Sequence, residues 1–418
     1  MPSSRASRSR ALPRRAALAL AAALALGGAQ AQDAGFDPGS VLSAPEEASA
    51  SGQAGLRVEL WRQEFDWREL PAGEARHAWR GVLDYRHEWT LNEQWKFGLS
   101  NRFEAVHYSD DKAHTERNVL REAYASHDGG DGWHLDAGRI NSRQGMASGY
   151  NPSDFLRAHA VVTRSSQDPA ALRENRLGTV MLRAQKLGAF GSLQATLVPR
   201  LSDRDTLNTT TYGLGLERTN RREALLLRYT PRGTDRLAAD VQAYVRAGDS
   251  PQVAANLSFV AADSLLLHAE WAGGKQVGLT APDEAAAAAR WSNRLATGFS
   301  WTTPWRMTVT IERLHNSQGL TRGDWKAWRA AAEADPATRG RLGLLRRQVQ
   351  ERQELLVRDA WFARLAWDQA FEVRNQDIAA IARINAYDRS RTVQLDAAWH
   401  LDPTRSEERR VGKECRLT

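Results

Sequence analysis

Alternation between apolar and polar residues runs through most of this 418-residue chain. In the stretch WTLNEQWKFGLSNRFEA, Trp95, Phe97 and Leu99 share one parity, while Lys96 and Ser100 share the other. Because side chains alternate between the two faces of a β-strand, this pattern predicts a strand with one apolar and one polar face. The same pattern recurs in segments 56–61, 79–90, 180–185, 193–198, 237–246, 253–259, 294–301, 307–312, 361–368 and 392–399.

The polar faces of these segments exclude most soluble β folds. They carry too many charges to pack against a second sheet, and the sequence has no fixed-period repeat of the propeller type. Strands of about 10 residues, apolar on one face and polar on the other with aromatic residues near their ends, are typical of transmembrane barrels. The sequence therefore predicts an all-β fold, a closed antiparallel transmembrane β-barrel whose apolar face meets lipid and whose polar face lines a wet lumen.

The lengths of the connections support this prediction. Short connections, such as 91–94 and 302–305, alternate along the chain with longer ones, such as 143–177 and 317–358. Bacterial barrels have short periplasmic turns and longer external loops. The alternation predicts about 16 strands, both chain ends on the periplasmic side, and helical insertions in external loops. Segment 211–230 fits either one strand or two, and an even total favours one.

Both ends of the chain differ from the middle. Residues 1–31 combine five arginines, an apolar run and the small residues AQA, which predicts a secretory signal peptide; a membrane anchor would need a longer apolar core. Residues 32–55 indicate a flexible periplasmic leader, which leaves 56–405 as the barrel. Residues 406–418 break the alternation and contain the only cysteine, Cys415. They are interpreted as a non-native tail, with a genuine basic tail as the alternative.

The charge balance argues against a nucleic-acid partner. The formal net charge is +7, but residues 1–31 contribute +5 and residues 406–418 contribute +1, which leaves +1 for residues 32–405. A basic patch of the kind that binds nucleic acid is therefore not expected. The expected partners are outer-membrane lipid and a small hydrophilic solute or polymer. No cofactor and no metal site are expected, because the sequence has no nucleotide-binding motif and no metal-spaced Cys/His set.

Segment 138–178 is the main candidate for chemistry in the first half of the chain. Its NPSDFLRAHA stretch predicts a helix start near 151–154, with Pro152 in the first turn. Six arginines make the segment basic: Arg139, Arg143, Arg157, Arg164, Arg173 and Arg176. One interpretation is a loop that folds into the lumen and forms a constriction favouring anions. The other is a packed external loop whose arginines pair with Asp154, Asp168 and Glu174.

Segment 322–359 is helical in composition, with Pro336 and Gly340 placed between two predicted helices. Its apolar residues include Trp325, Leu342 and Val349. A cap or plug over the pore and a solvated helical hairpin are both compatible with this composition.

Further candidates for the pore lining come from the polar parity of the strands. They are Arg80, Asp84, Arg86, Glu88, Arg183, Asp240, Glu312 and Arg364. A catalytic alternative, an outer-membrane hydrolase, would use loop residues such as His159 with Ser165 and Ser166, or His114. No nucleophile elbow accompanies these residues, so no enzymatic activity is expected. A structural or assembly barrel that binds a partner through 322–358 is a third possibility.

The signal peptide, the alternating strands with flanking tryptophans and the parity of the loops together resemble Gram-negative outer-membrane barrels of the porin and polymer-export type. The resemblance is architectural and covers about residues 56–401. It implies passage of a hydrophilic solute across the outer membrane, without a chemical step. GYNPSDF and HNSQGLTRGDW look like family signatures, but they identify no substrate. Such barrels usually end on an aromatic residue. Here the last predicted strand stops near Trp399, but the sequence continues beyond it into the predicted non-native tail.

Overall fold

The computed structural model describes residues 55–64, 77–108, 115–161, 168–204, 212–278, 289–373 and 376–399. The predicted signal peptide, nearly all of the predicted leader and the predicted tail lie outside these residues. The described part of the chain forms 16 strands. They are β1 Gly55–Glu64, β2 His77–Thr90, β3 Trp95–Tyr108, β4 Thr115–Gly130, β5 Trp133–Ile140, β6 Thr179–Gly188, β7 Gly191–Val198, β8 Ala224–Pro231, β9 Leu237–Arg246, β10 Gln252–Ala262, β11 Leu265–Gln276, β12 Arg290–Thr302, β13 Met307–Asn316, β14 Asp359–Trp367, β15 Gln376–Asn385 and β16 Arg391–Trp399.

The strands form one antiparallel sheet in sequence order from β1 to β16. Each strand pairs with its neighbours in the chain, as in the register Gly55↔Arg86 between β1 and β2 and Gln376↔Trp399 between β15 and β16. Within the described ranges, no ladder joins β1 to β16. The predicted count of about 16 strands is confirmed. Segment 211–230 contains a single strand, β8, as preferred from the sequence.

Connections that follow even-numbered strands lie at one end of the sheet, and those that follow odd-numbered strands lie at the other. The long connections are all at the second end, as predicted, but two connections there, 247–251 and 386–390, are short. The short turns are closed by local side chains: Asn92 Oδ1 accepts hydrogen bonds from the backbone N–H groups of Gln94 (2.9 Å) and Trp95 (2.8 Å). Such Asx turns fix the register of the strands that follow.

The two faces of the sheet are inverted relative to a soluble protein. Along β9, Leu237 and Val241 are 42% and 52% exposed, whereas Asp240 and Gln242 are 1% and 4% exposed. Other strands repeat this arrangement, with Leu, Val and Trp on the outside and charged or amide side chains inside. A soluble protein would bury the apolar set because burial stabilises it by about 25 cal/mol per Å². The inversion indicates that the outer face meets an apolar medium.

Exposed tryptophans mark both rims of this outer face. Trp79 and Trp89 on β2 are ten residues apart, as are Trp291 and Trp301 on β12, and all four are exposed. Ten residues of strand span about 33 Å, or about 23 Å along the membrane normal when the strand is tilted by about 45°. That height is close to the apolar band of about 25 Å between the aromatic girdles of outer-membrane barrels.

Among the described residues, four α-helices lie in the long connections: α1 Pro169–Glu174, α2 Leu216–Thr219, α3 Arg322–Ala334 and α4 Pro336–Glu351. A 3₁₀ turn, Ala370–Glu372, lies in a short one. None of the helices in the described ranges is long and apolar enough to cross a membrane. The predicted pair of helices over 322–359 is confirmed, but Gly340 lies inside α4 rather than between the helices. Asp335 ends α3 and caps α4, so Pro336 at the first position is enough to separate them.

Candidate pore and its internal loop

Residues 141–161 and 168–178, in the connection between β5 and β6, lie against the inner wall of the sheet. We call these residues the internal loop. The carboxylate of Glu270 on β11 accepts backbone N–H hydrogen bonds from Met146 (2.9 Å), Ala147 (3.0 Å) and Ser153 (2.8 Å). Glu270 is fully buried, so these donors replace the water that its charge would otherwise require.

A second carboxylate holds the next part of the internal loop. Glu312 on β13 accepts N–H hydrogen bonds from Ser148 (2.6 Å) and Gly149 (2.7 Å), and Arg383 on β15 donates to the carbonyl of Gly149 (2.6 Å). A Cβ atom at position 149 would lie 2.4 Å from the ring of Phe362, so only glycine permits this close approach. The GMASG stretch is therefore fixed along the wall from β11 to β15.

The predicted helix start at 151–154 is wrong. Residues 151–160 form consecutive turns, and the helix of this segment, α1, begins at Pro169. The reason lies in the partners of the backbone. The guanidinium of Arg157 donates to the carbonyls of Asn151, Pro152 (3.2 Å) and Asp154 (3.1 Å), which a helix would have used internally. Glu270 binds the N–H of Ser153 in the same way.

The arginines of the internal loop are bound to specific acceptors. Arg157 forms an ion pair with the carboxylate of Glu354, and Arg176 forms one with Asp154 (2.6 Å). Burial is the largest single effect on Arg157 and would lower its pKa, but Glu354, Tyr150, Asp154 and Glu270 together outweigh it and raise the pKa. Arg173 instead donates to the carbonyls of residues 144 (2.8 Å) and 145 (3.0 Å), and burial lowers its pKa.

The remaining arginines predicted in this segment have different positions. Arg139 is buried at the end of β5 and donates to the carbonyl of Leu120 (3.1 Å). Arg143 is half-buried in the internal loop. Arg164, together with Ser165 and Ser166 of the catalytic alternative, lies outside the described residues.

A network of buried charges lines the inner wall at β2–β4. Asp84 accepts from Arg102 (3.2 Å) and also pairs with Arg121, and Arg80 lies 3.2 Å from Glu104. The structure thus brings the predicted residues Arg80 and Asp84 into one cluster. It also links this wall to the internal loop, because Arg121 donates to Asn175 (2.8 Å).

The other predicted wall residues do not join that cluster. Arg86 and Glu88 lie nearer the short-turn end, at 3.9 Å from Glu122 and 3.8 Å from Lys96 respectively. The other three wall contacts, on separate strands, are Arg183 with Asp136 (2.7 Å), Asp240 with Arg228 (3.0 Å) and Arg364 with Asp168 (3.3 Å). The Arg364 contact reaches the segment just before α1, so the internal loop also touches β14.

Two residues of the candidate site, Arg121 and Glu354, were not predicted from the sequence. Arg121 sits at a bulge, where Ser100 pairs with Glu122 but Asn101 pairs with Leu120. The extra residue shifts the parity of β4, so strict alternation does not reveal that Arg121 faces inwards. Glu354 follows a helix in a charged segment, and no local pattern distinguishes it from solvated neighbours. Among the residues that the structure describes, no group of His, Cys, Asp and Glu is arranged to hold a metal ion.

This chain is similar to known proteins in its architecture only. No protein-family model matches the chain, and no curated protein matches it. The solved structures that it resembles include a mutant of the Rhodopseudomonas blastica porin. The two share 9% sequence identity, the match covers 83% of this chain and 99% of that chain, and the TM-score is 0.45. Another is Salmonella typhi OmpF in complex with daunomycin, with 10% identity, coverage of 81% and 90%, and a TM-score of 0.43. Identities and TM-scores this low carry no information about the solute or the oligomeric state, and the likeness to these porins is one of architecture.

Proposed function

We propose that the sheet closes into a 16-stranded barrel in the outer membrane of a Gram-negative cell and passes a hydrophilic solute. The observation that carries this proposal is the inverted burial of the strands: charged and amide side chains face inwards, while exposed leucines, valines and tryptophans face outwards. Lipid is the medium that stabilises such an outer face. A polar interior enclosed by it is suited to water and polar solutes.

Closure is supported by the two edge strands. Leu56, Val58 and Leu60 of β1 and Val393 and Leu395 of β16 are all exposed on the apolar parity, so the lipid-facing surface continues to both edges. Open edges would leave unpaired backbone N–H and C=O groups in the bilayer, at a cost of several kcal/mol each. Pairing of β1 with β16 removes that cost. The proposed domain organisation is a signal peptide over 1–31, a periplasmic leader over 32–55, the barrel over 56–405 and a non-native tail over 406–418.

The internal loop is the proposed constriction, because it is held inside the wall at Glu270 and Glu312. Its charge balance suggests a modest preference for anions. Arg157 and Arg176 are neutralised by Glu354 and Asp154, whereas Arg173 donates to carbonyl oxygens and keeps its charge. We therefore expect Arg173 to contribute positive potential to the passage.

Planar-bilayer recordings test both levels of the proposal. The wild type should form ion-conducting pores, and a sealed barrel would overturn the transport function. Under a salt gradient, Arg173→Gln should shift the reversal potential towards the value expected for a cation-selective pore. Arg173→Lys, which keeps the charge, should leave it unchanged. The shift should shrink in 1 M salt, where the Debye length is about 3 Å. Equal reversal potentials in wild type and Arg173→Gln would show that the charge of Arg173 does not act on the passing ions.

A further inference from the structure

The helical hairpin formed by α3 and α4 covers the long-connection end of the inner wall. Trp325, Leu345 and Val349 are buried in one cluster with Leu314 of β13 and Phe362 of β14. The hairpin is thus packed onto strands that also bind the internal loop. The interpretation of this segment as a fully solvated hairpin does not agree with that burial.

Two local devices fix the hairpin. Thr321 and Asp324 form a reciprocal capping box at the start of α3. In the same helix, Trp325 and Arg329 donate hydrogen bonds to Asp388 in the connection between β15 and β16 (2.8 Å each). Burial alone would raise the pKa of Asp388, but hydrogen bonds from Ser390, Trp325 and Arg329 lower it to about 2.

Immediately after α4, the chain turns towards the inner wall and places the carboxylate of Glu354 between the wall and the internal loop. Gln353 adopts a left-handed conformation (φ 53°), which costs an ordinary residue about 1 kcal/mol or more. The turn places Glu354 among four donors: Tyr150, Arg157, Arg294 (3.4 Å) and Asn316 (3.0 Å). Two of these belong to the internal loop and two to the wall, so one side chain joins three parts of the molecule.

Backbone contacts reinforce this junction. The N–H of His159 donates to the carbonyl of Glu351 (2.7 Å). The side chain of Gln353 donates to the carbonyl of Arg157 (2.5 Å), and Arg157 donates to the carbonyl of Gln353 (3.3 Å). Arg218, in α2, donates to the carbonyl of His159 (2.8 Å) and pairs with the carboxylate of Glu351.

We propose that the hairpin is a latch for the internal loop and that Glu354 is its positioning residue. Arg157 is the link, because the same guanidinium that pairs with Glu354 also holds the carbonyls of Asn151, Pro152 and Asp154. Release of Glu354 frees Arg157, and the turns over 151–160 lose the partner that replaced their helical hydrogen bonds. The conductance of the pore then depends on whether the hairpin is seated. This inference rests on the proposed transport function.

Glu354→Gln tests the latch in planar bilayers, with Glu333→Gln as the matched control. Glu333 lies in the same hairpin, loses the same charge and is 71% exposed, so its variant should match wild type. Loss of charge-assisted hydrogen bonds worth about 1.5–3 kcal/mol raises the population of the unseated state about tenfold to hundredfold. Glu354→Gln should therefore spend about ten times longer or more in levels of higher conductance. Arg157→Gln should give the same record, and the double variant should add nothing further.

The outcomes separate three cases. A wild type without conductance overturns the transport function itself. A conducting wild type with unchanged levels and lifetimes in Glu354→Gln overturns the latch and leaves the pore. A purely structural role of Glu354 predicts fewer folded barrels, each with wild-type conductance, and this result also overturns the latch. Replacement of residues 322–351 by a short Gly/Ser linker should reproduce the high-conductance levels; pores identical to wild type would contradict the proposal.

Discussion

Arginine substitution at Val241 tests the assignment of the two faces most directly. Val241 lies in the middle of β9, is 52% exposed and belongs to the apolar parity. An arginine at the bilayer midplane of an outer-membrane barrel costs about 2–4 kcal/mol, whereas one near the interface costs about 0–1 kcal/mol. Val241→Arg should therefore lower the free energy of unfolding by about 2–4 kcal/mol. Leu237→Arg, at the first residue of the same strand, should lower it by about 1 kcal/mol or less.

The control on the inner face is Ala379→Arg. Ala379 is half-buried, lies on the same face of β15 as Arg383 and pairs across the sheet with Asp396, which offers a carboxylate to the new charge. This variant should be tolerated. The assay is urea-dependent folding into lipid vesicles, followed by heat-modifiable migration on gels. Equal costs at positions 241, 237 and 379 would refute the membrane-facing assignment, because a sheet in water has no dependence on depth.

Further outcomes follow for the interior and the ends. Gly149→Ala should destabilise the folded form by about 1–3 kcal/mol, since its Cβ would lie 2.4 Å from Phe362, and thermal loss of the compact gel band reports this. Gly343→Ala in α4, where nothing lies within 4 Å, should instead stabilise by about 0.5–1 kcal/mol in the same assay. The hydrogen bonds that lower the pKa of Asp388 to about 2 stabilise the hairpin above a pH of about 4. This contribution, on the order of 1 kcal/mol after screening, should disappear as the pH falls towards about 2. Asp388→Asn should remove that pH dependence of the hairpin's resistance to protease. Deletion of 406–418 should leave the yield of folded barrel unchanged.

The strands were predictable because the outward position of the apolar residues imposes one simple rule on every strand. A residue of apolar parity must face outwards, whatever its neighbours are. Local alternation alone therefore predicts the two faces of each strand, the turns between strands and the number of strands. The rule fails where the ladder is irregular. The bulge at Arg121 changes parity within β4, and no residue type in LREAY marks it.

The internal contacts were not predictable, because they join residues that are far apart in sequence. Polar parity alone indicates that Asp240 faces water and that its replacement would be harmless. In the structure it is 1% exposed and accepts hydrogen bonds from Asn256 (3.0 Å) and pairs with Arg228 (3.0 Å). An arginine there would face Arg228 without a partner, which costs several kcal/mol. Parity gives the face of a residue, while its partners are set by the register of other strands.

The position of the internal loop therefore depends on a few carboxylates rather than on apolar burial alone. In the proposed barrel, lipid contact would stabilise every arrangement of the loop equally, so only contacts with the inner wall and the hairpin distinguish one arrangement from another. Glu270 and Glu312 bind five backbone N–H groups of the loop from the wall, and Glu354 binds two of its side chains from the hairpin. A buried carboxylate that loses its donors is strongly destabilised, which makes misplaced loops costly. The conformation of the internal loop is thus specified by these carboxylates and their donors.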